Sequence, residues 1–215
     1  MADKSFWGDR KDLEWFKNFI YYYKIHIAVI IFLIISVIYT VNTVINHADA
    51  DISIDIYGGV YIEPESNDKF KEYLSYLIND IDGKNGKVVT TVQRLQSSLM
   101  GDNSEIEQAL AQAIMVELSV GESYLYIVND DYITDFENSG VLLDLSTIDP
   151  ELGKGTLSLR IDDNKLLKNF ASSVDEPLYL CVRDVTPSVS DNRLEKAQGM
   201  CENAKIIFKE FYKNR

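Results

Sequence analysis

Residues 27–45 read IAVIIFLIISVIYTVNTVI, and no charged residue occurs between Ile25 and Asn46. An α-helix needs about 20 predominantly apolar residues to cross a hydrocarbon core of roughly 30 Å. The few hydroxyl and amide side chains in the stretch can hydrogen-bond within a helix, so they do not oppose insertion. The sequence therefore predicts one transmembrane helix over residues 25–46, with the lipid bilayer as its partner.

Basic residues flank this stretch closely on one side only. Five of them precede it, and the next one along the chain is Lys69. Because basic residues near the ends of a span stay in the cytoplasm, residues 1–24 are predicted to be a cytoplasmic juxtamembrane segment. The aromatic residues between Trp15 and Tyr23 are typical of the headgroup layer. The predicted localisation is the cell membrane, with a single pass and residues 51–215 outside the cytoplasm.

A cleaved signal peptide is the alternative interpretation of the same stretch. Ala48-Asp49-Ala50 fits the small-x-small pattern of a cleavage site, so cleavage after Ala50 stays open. However, the apolar run is longer than the roughly 7–15 residues of a signal peptide, and a further segment of 24 residues precedes it. These lengths favour an uncleaved signal anchor.

The net charge of the chain is −13 over 215 residues, and the negative excess lies in the predicted outer domain. Residues 1–50 contain five basic and five acidic residues and so contribute none of it. A negative surface repels nucleic acid and anionic lipid headgroups, which makes both poor partners for this domain. The apolar fraction of 46% is sufficient for a folded core.

Beyond residue 50, strand-like segments alternate with helix-like segments. In Asp51–Tyr57 every second residue is isoleucine, which predicts a strand with one apolar face. The other predicted strands are Lys87–Leu95, Ser123–Val128, Thr156–Arg160 and Leu178–Arg183, with a short extended piece at Gly140–Leu145. The predicted helices are Ser66–Ile81, Asn103–Val120, Tyr132–Asn138, Asn164–Phe170 and Asp191–Lys213. This order predicts an α/β domain with one mostly parallel sheet and helices on both faces.

In sheets of this kind, ligands bind beyond the carboxyl ends of the parallel strands. The first and third predicted strands end close to glycine, tyrosine, asparagine and aspartate residues that suit ligand contact. The candidate ligand-binding residues are Tyr57, Gly58, Gly59, Tyr61, Asn129 and Asp130.

Two segments resemble the extracellular solute-binding proteins of bacterial ABC importers. They are LSVGESYLYIV, residues 118–128, and FENSGVLLDLS, residues 136–146. In those proteins the usual order is a helix, a turn with a glycine and an acidic residue, a strand, a short helix, and then a segment that begins with glycine. The resemblance covers residues 51–148. It implies a single lobe of the periplasmic-binding-protein type, with ligand near the strand ends.

The chain also departs from that family. Solute-binding proteins have two lobes and a hinge, whereas the 165 residues that follow residue 50 suffice for one lobe. Ser123-Tyr124 stands where the family usually has Pro-Asp, and the anchor is a helix instead of a lipidated cysteine. The chain is therefore similar to a one-lobe, membrane-anchored relative from Gram-positive bacteria, and solute transport does not follow from the resemblance.

The side chains needed for catalysis are scarce in the predicted domain. Its sequence contains no histidine, because His26 and His47 both precede it, so a serine or cysteine nucleophile has no histidine base. Asp80–Lys87 resembles the start of a calcium loop. Counted from Asp80, however, Lys84 stands where the loop needs an oxygen ligand, Asn85 where it needs glycine and Thr91 where it needs glutamate. The segment therefore predicts a turn. We therefore expect no enzymatic activity, no cofactor and no metal.

Cys181 and Cys201 are the only cysteines. An even number of cysteines in an extracytoplasmic domain allows one disulfide, which would close a loop of about 20 residues and contribute about 3 kcal/mol. Free cysteines are also common in protein cores. The sequence leaves both alternatives open.

Together these patterns predict a non-catalytic, membrane-anchored extracytoplasmic module that binds a partner protein or a small ligand. The alternative is an accessory or structural subunit of a membrane complex, without a small-molecule ligand of its own.

Overall fold

The computed structural model describes residues 10–45, 49–81, 83, 86–94, 104–174, 177–185 and 191–215. The chain divides into two units, Met1–His47 and Ala48–Arg215. Both hydrophobic core clusters lie within the second unit, so this unit has a core of its own.

The described part of the first unit is one long helix, α1, over Arg10–Ile45. Its stretch Phe19–Val41 has a mean hydropathy of 2.4, and none of it is buried. The hydroxyl of Thr40 donates to the carbonyl of Ser36 at 2.9 Å, so this polar side chain is satisfied within the helix. The prediction of one N-terminal helix long and apolar enough to span a membrane is confirmed. A signal sequence has the same properties.

The second unit is built on a five-stranded sheet. In chain order the strands are β1 Ile52–Tyr57, β2 Val60–Tyr61, β3 Val89–Arg94, β4 Leu125–Asn129, β5 Ser158–Arg160, β6 Ser173–Val174 and β7 Leu178–Val182. The order in the large sheet is β3-β1-β4-β7-β5, and β2 pairs with β6 separately. β1 is parallel to β3 and β4, whereas β7 is antiparallel to β4 and β5. Four of the five strands thus point the same way, as the prediction of a mostly parallel sheet requires.

Helices connect most of these strands. They are α2 Pro64–Leu77, α3 Ser104–Val120, α4 Asp130–Asn138, α5 Lys165–Phe170 and α6 Asp191–Lys213, with short 3-10 turns at Leu145–Thr147 and Pro150–Leu152. The predicted helices and the five predicted strands therefore exist; α6 has the predicted bounds, and the ends of the others differ by one to four residues. The predicted ends at Leu95 and Asn103 lie outside the described residues. The exception is the extended piece at Gly140–Leu145, which forms only a single bridge between Leu142 and Arg183 before the first 3-10 turn.

The first face of the sheet carries the isoleucines of β1. Ile52, Ile54 and Ile56 are at most 1% exposed and belong to the larger core cluster. The same cluster contains Phe70 and Leu74 of α2 and several residues of α6. These apolar positions recur at helical spacing, so each helix presents one apolar stripe to the sheet.

The second face of the sheet is covered as well. Tyr57 of β1 and Tyr126 of β4 form a second cluster with Leu110 and Ile114 of α3 and with Phe136 of α4. The ring centroid of Phe136 lies 5.3 Å from that of Tyr57 and 5.1 Å from that of Tyr126. Helices therefore lie on both faces of the sheet.

The two cysteines lie in different parts of this core. Cys181 of β7 belongs to the cluster on the second face, and Cys201 of α6 belongs to the cluster on the first face. Both thiols are free and buried. Of the two alternatives left open by the sequence, the structure favours free thiols, because the sheet separates the two side chains.

Polar side chains fix α6 and the connection from α2 to β3 against the start of β1. Asp51 is 1% exposed, and its two carboxylate oxygens each accept a hydrogen bond of 2.7 Å, from the backbone N–H groups of Ile81 and Val88. Asn203 of α6 is fully buried and donates to the carbonyls of Asp51 at 3.0 Å and Asn79 at 2.9 Å. Its side-chain oxygen accepts the N–H of Asn79 at 2.8 Å. Every polar atom of this buried amide group is thus used.

Candidate functional site

The candidate ligand-binding edge begins with a tight turn after β1. Gly58 and Gly59 have φ values of 68° and 62°, which side chains other than glycine rarely adopt. The N–H of Gly58 donates to the carbonyl of Arg94 at 3.0 Å, and the N–H of Val60 donates to the carbonyl of Gly58 at 2.7 Å. The second bond closes a three-residue turn around Gly59. This turn reverses the chain directly into β2.

The parallel pairing of β1 and β4 brings four of the six predicted site residues to one edge. Tyr57 pairs with Val128, so the next residues, Gly58 and Asn129, lie side by side. Asn129 is fully buried, and Tyr57 and both glycines are buried as well. Ligand contact by these residues stays a prediction. All four are buried at the edge of the sheet and contribute little to its exposed surface.

The other two predicted residues are exposed. Tyr61 is 37% exposed and pairs with Ser173 in the small sheet. Asp130 begins α4 and accepts a hydrogen bond from the hydroxyl of Tyr179 at 3.0 Å. This bond to a carboxylate, together with burial, raises the pKa of Tyr179. Asp130 is thereby held against β7 at the end of the sheet.

A buried polar cluster lies beneath this edge, on the second face of the sheet. Asp55 is 1% exposed, and its carboxylate accepts hydrogen bonds from Tyr57 at 3.0 Å and from Ser123 at 2.7 Å. Nη2 of Arg94 lies 3.6 Å from the same carboxylate. A buried charge is tolerated when it has hydrogen bonds and a counterion, and Asp55 has both.

The cluster continues to the carboxyl end of α3. The hydroxyl of Tyr126 donates to the carbonyl of Ser123 at 2.8 Å and lies 3.0 Å from Nη1 of Arg183. The guanidinium of Arg183 donates to the carbonyls of Glu117 at 2.8 Å and Leu118 at 3.1 Å. The positive charge of Arg183 thus lies at the carboxyl end of α3, where a cation is favourable; the carbonyl of Glu117 also accepts the N–H of Gly121 at 2.8 Å. Burial raises the pKa of Tyr126, and it likewise raises that of Tyr57, so both phenols stay protonated donors.

Arg94, the last residue of β3, links the cluster to the surface. Its side chain is 34% exposed, and its guanidinium lies 5.7 Å from the centre of the Tyr57 ring. Its buried Nε has no hydrogen-bond partner among the described residues. The predicted strand Lys87–Leu95 ends near Arg94, but Arg94 was not among the candidate ligand-binding residues. Its position at the carboxyl end of a predicted parallel strand was the available signal.

Neither cysteine thiol is activated as a nucleophile. Burial raises the pKa of the Cys181 thiol, and burial also raises that of the Cys201 thiol. A thiol that stays protonated is a poor nucleophile and a poor metal ligand. Among the described residues, no three His, Cys, Asp or Glu side chains are grouped to hold a metal ion.

No protein-family model, no curated protein and no solved structure matches this chain.

Proposed function

We propose that this protein is a single-pass membrane protein whose α/β domain lies outside the cytoplasm and acts as a non-catalytic binding or interaction module. The observation that carries the proposal is the stretch Phe19–Val41 of α1, which is apolar and unburied along its length. An exposed apolar helix of this length is stable in lipid and costly in water. The basic residues before it and their scarcity after it support a cytoplasmic N-terminus.

The non-catalytic part of the proposal is supported by how the buried polar groups are used. Asp55, Ser123, Tyr126 and Arg183 bond to one another or to the backbone. These four residues are all buried, and a buried, fully bonded polar network supports a structural role.

The likeness to one lobe of a periplasmic-binding protein belongs to this proposal. It is supported by the chain order β1-β2-α2-β3-α3-β4-α4 and by the parallel pairing of β1 with β3 and β4. The small-ligand form of the proposal assigns ligand contact to the edge beyond these strands. There Tyr61 and Asp130 have exposed side chains, and the side chain of Arg94 is 34% exposed.

A protease experiment on intact cells tests the anchor and its orientation. With an epitope tag after Arg215, we expect the tag to be lost when protease is added outside, and the protein to stay in the membrane fraction after alkaline washing. A tag that survives in intact cells but not in lysed cells would contradict the orientation. A soluble protein that lacks residues 1–50 would show that the apolar segment is a cleaved signal.

The accessory-subunit alternative is favoured by one observation, the exposed uncharged side of α3, where Val116 is 61% exposed. Calorimetry of residues 49–215 against a library of small solutes separates the two forms of the proposal. Saturable binding that is lost in an Asp130→Ala, Arg94→Gln variant supports ligand binding at the strand edge. No binding to any solute, combined with a stable membrane complex, supports the accessory role.

A further inference from the structure

β3 is an edge strand of the large sheet, and among the described strands it pairs with β1 alone. The two strands keep one parallel register along the whole of β3. The carbonyls of Val88 and Arg94 accept the N–H groups of Ile52 at 3.4 Å and Gly58 at 3.0 Å. Because the backbone groups of alternate residues point to the same neighbour in a ladder, the even-numbered residues of β3 bond to β1.

The backbone groups of the odd-numbered residues therefore point away from the sheet. They are the N–H and C=O groups of Val89, Thr91 and Gln93, and no hydrogen bond joins them to another described residue. The Thr91 hydroxyl donates to Oδ1 of Asn67 at 3.0 Å. The amide of Gln93 bonds to both backbone groups of Ile62, at 3.1 Å and 3.0 Å. These contacts hold the outward row in place, and we refer to the row as the β3 edge.

The opposite edge of the sheet is protected, whereas the β3 edge is not. β5 has only three residues, and the N–H of Leu145 bonds to the carbonyl of Thr156 just before it. Short strands, proline, lysine and bulges are the usual protection of sheet edges. Val89–Arg94 is twice as long as β5 and contains neither proline nor lysine, and Val92 is 39% exposed. An edge of this kind suits strand addition, in which an extended segment of another protein joins the sheet.

The charges at the two ends of the β3 edge select the segment that fits. Lys87 is exposed, and no described carboxylate lies within ion-pair distance of it. Arg94 is 3.6 Å from Asp55, and its Nε has no hydrogen-bond partner among the described residues. Residues 83–101 contain three basic residues and no acidic one. Because charges are screened beyond about 8 Å at physiological ionic strength, a bound strand meets these groups more strongly than the net charge of the domain.

A second copy of the chain does not fit these charges. In the symmetric antiparallel pairing about Thr91, the end of one β3 that carries Lys87 would lie beside the end of the other that carries Arg94. Like charges would then meet at both ends of the contact, which is unfavourable.

We propose that the β3 edge binds an extended acidic segment of a partner protein, which adds a strand to the sheet next to β3. Acidic side chains seven positions apart in that segment, about 23 Å in an extended chain, would meet Lys87 and Arg94. This inference rests on the proposed role of the domain as a binding or interaction module.

Fluorescence anisotropy of the full chain in detergent micelles, with labelled synthetic peptides, tests the inference. The acidic probe is an eight-residue alternation of valine and threonine that begins and ends with glutamate. The basic probe is identical except that lysine replaces both glutamates. We expect saturable binding of the acidic probe and about tenfold weaker binding of the basic probe, because two exposed ion pairs become two repulsions.

Substitutions away from the carboxyl ends of the strands examine the contact itself. Thr91→Pro removes an outward N–H that β1 does not use, so about tenfold weaker binding is expected. The matched control Thr91→Val keeps this N–H and should bind the acidic probe as the natural chain does. Lys87→Gln should weaken binding by about threefold. An acidic probe with methylated backbone nitrogens lacks the donors of the ladder, so it tests the same bonds even if Thr91→Pro does not fold.

The outcomes separate this inference from the proposed function. Weaker binding of the methylated probe and of Thr91→Pro, with Thr91→Val unchanged, supports strand addition. Equal binding of the acidic and basic probes, or of the methylated and unmethylated probes, overturns it. Absence of saturable binding in a membrane-inserted chain overturns it as well and leaves both the anchor and the solute site intact. A chain that is dimeric and becomes monomeric on Thr91→Pro means that a second copy occupies the edge, which also overturns it.

Discussion

Gly58, directly after β1, and Asn129, the last residue of β4, are in such close contact that a Cβ on Gly58 would lie 2.8 Å from Nδ2 of Asn129. The contact joins the carboxyl ends of two parallel strands. It leaves the edge of the sheet no room for a larger residue at position 58.

Gly58→Ala is therefore expected to lower the free energy of unfolding by about 2–4 kcal/mol, because it combines a strained φ with a collision. Gly140→Ala is the matched control. Its φ of 72° is equally unfavourable, but no atom lies within 4 Å of the added Cβ, so about 1 kcal/mol is expected. Denaturant unfolding of residues 49–215 measures both. If the collision matters, Gly58→Ala in an Asn129→Ala background should cost no more than the control.

Ser123→Ala should destabilise the domain by about 1.5–3 kcal/mol, because it removes a hydrogen bond to the buried carboxylate of Asp55. Ser75→Ala is the control, since the Ser75 hydroxyl donates only to the carbonyl of Glu72 at the surface of α2. We expect the control to change stability by less than about 0.5 kcal/mol. Equal effects of the two substitutions in urea titrations would contradict the importance of the polar cluster.

Stability at low pH should depend on Asp144. The N–H groups of Gly155 and Ser146 bond to its carboxylate and hold its pKa below the usual 3.8. The unfolded chain therefore binds this proton first, so the stabilisation is present above the unfolded pKa and is lost as the pH falls through the folded pKa. Between about pH 5 and pH 2, the free energy of unfolding should fall more steeply for the natural chain than for Asp144→Asn. Asp135→Asn, at an exposed position of α4, serves as the control substitution.

Membrane insertion should fail when charge is placed in the middle of the apolar stretch. Residues 25–46 contain fourteen Leu, Ile, Phe and Val residues. At roughly −0.3 to −0.6 kcal/mol each, these favour insertion by about 6 kcal/mol, whereas two central arginines cost about 6 kcal/mol. The Ile31→Arg, Ile34→Arg variant should move largely to the soluble fraction or be degraded. Tyr22→Arg, near the N-terminal end of the apolar stretch, should remain in the membrane. Membrane retention of both variants would contradict the anchor.

The apolar pattern of the sequence was sufficient for the main architecture. Alternating isoleucines in β1 and the uniformly apolar β7 each fit a short buried strand, and α6 has the predicted bounds Asp191–Lys213. Periodicity does not encode strand direction, however, so the antiparallel pairing of β7 was not predicted. Strands β2 and β6 were missed because two residues are too short to show any period.

The candidate site was less accessible to sequence reasoning. The side chain of Asp55 lies on the face of the sheet opposite to the isoleucines of β1. In an alternating strand that face is normally in solvent, but here α3 and α4 cover it, and Asp55 is buried. Its partner Ser123 is 68 positions away, a pairing that only the folded chain reveals. A charged residue on the second face of a sheet predicted to be covered on both sides was the clue that the sequence contained.

Asp51 also limits where the domain can be separated from the apolar helix α1. A soluble form that starts at Ile52 would leave the N–H groups of Ile81 and Val88 without their acceptors, and Asn203 without one of its carbonyls. Secretion, shedding by a protease and recombinant production therefore share one requirement: the released polypeptide must retain Asp51. Cleavage after Ala50 would meet this requirement, because Asp51 would then be the first residue of the released polypeptide.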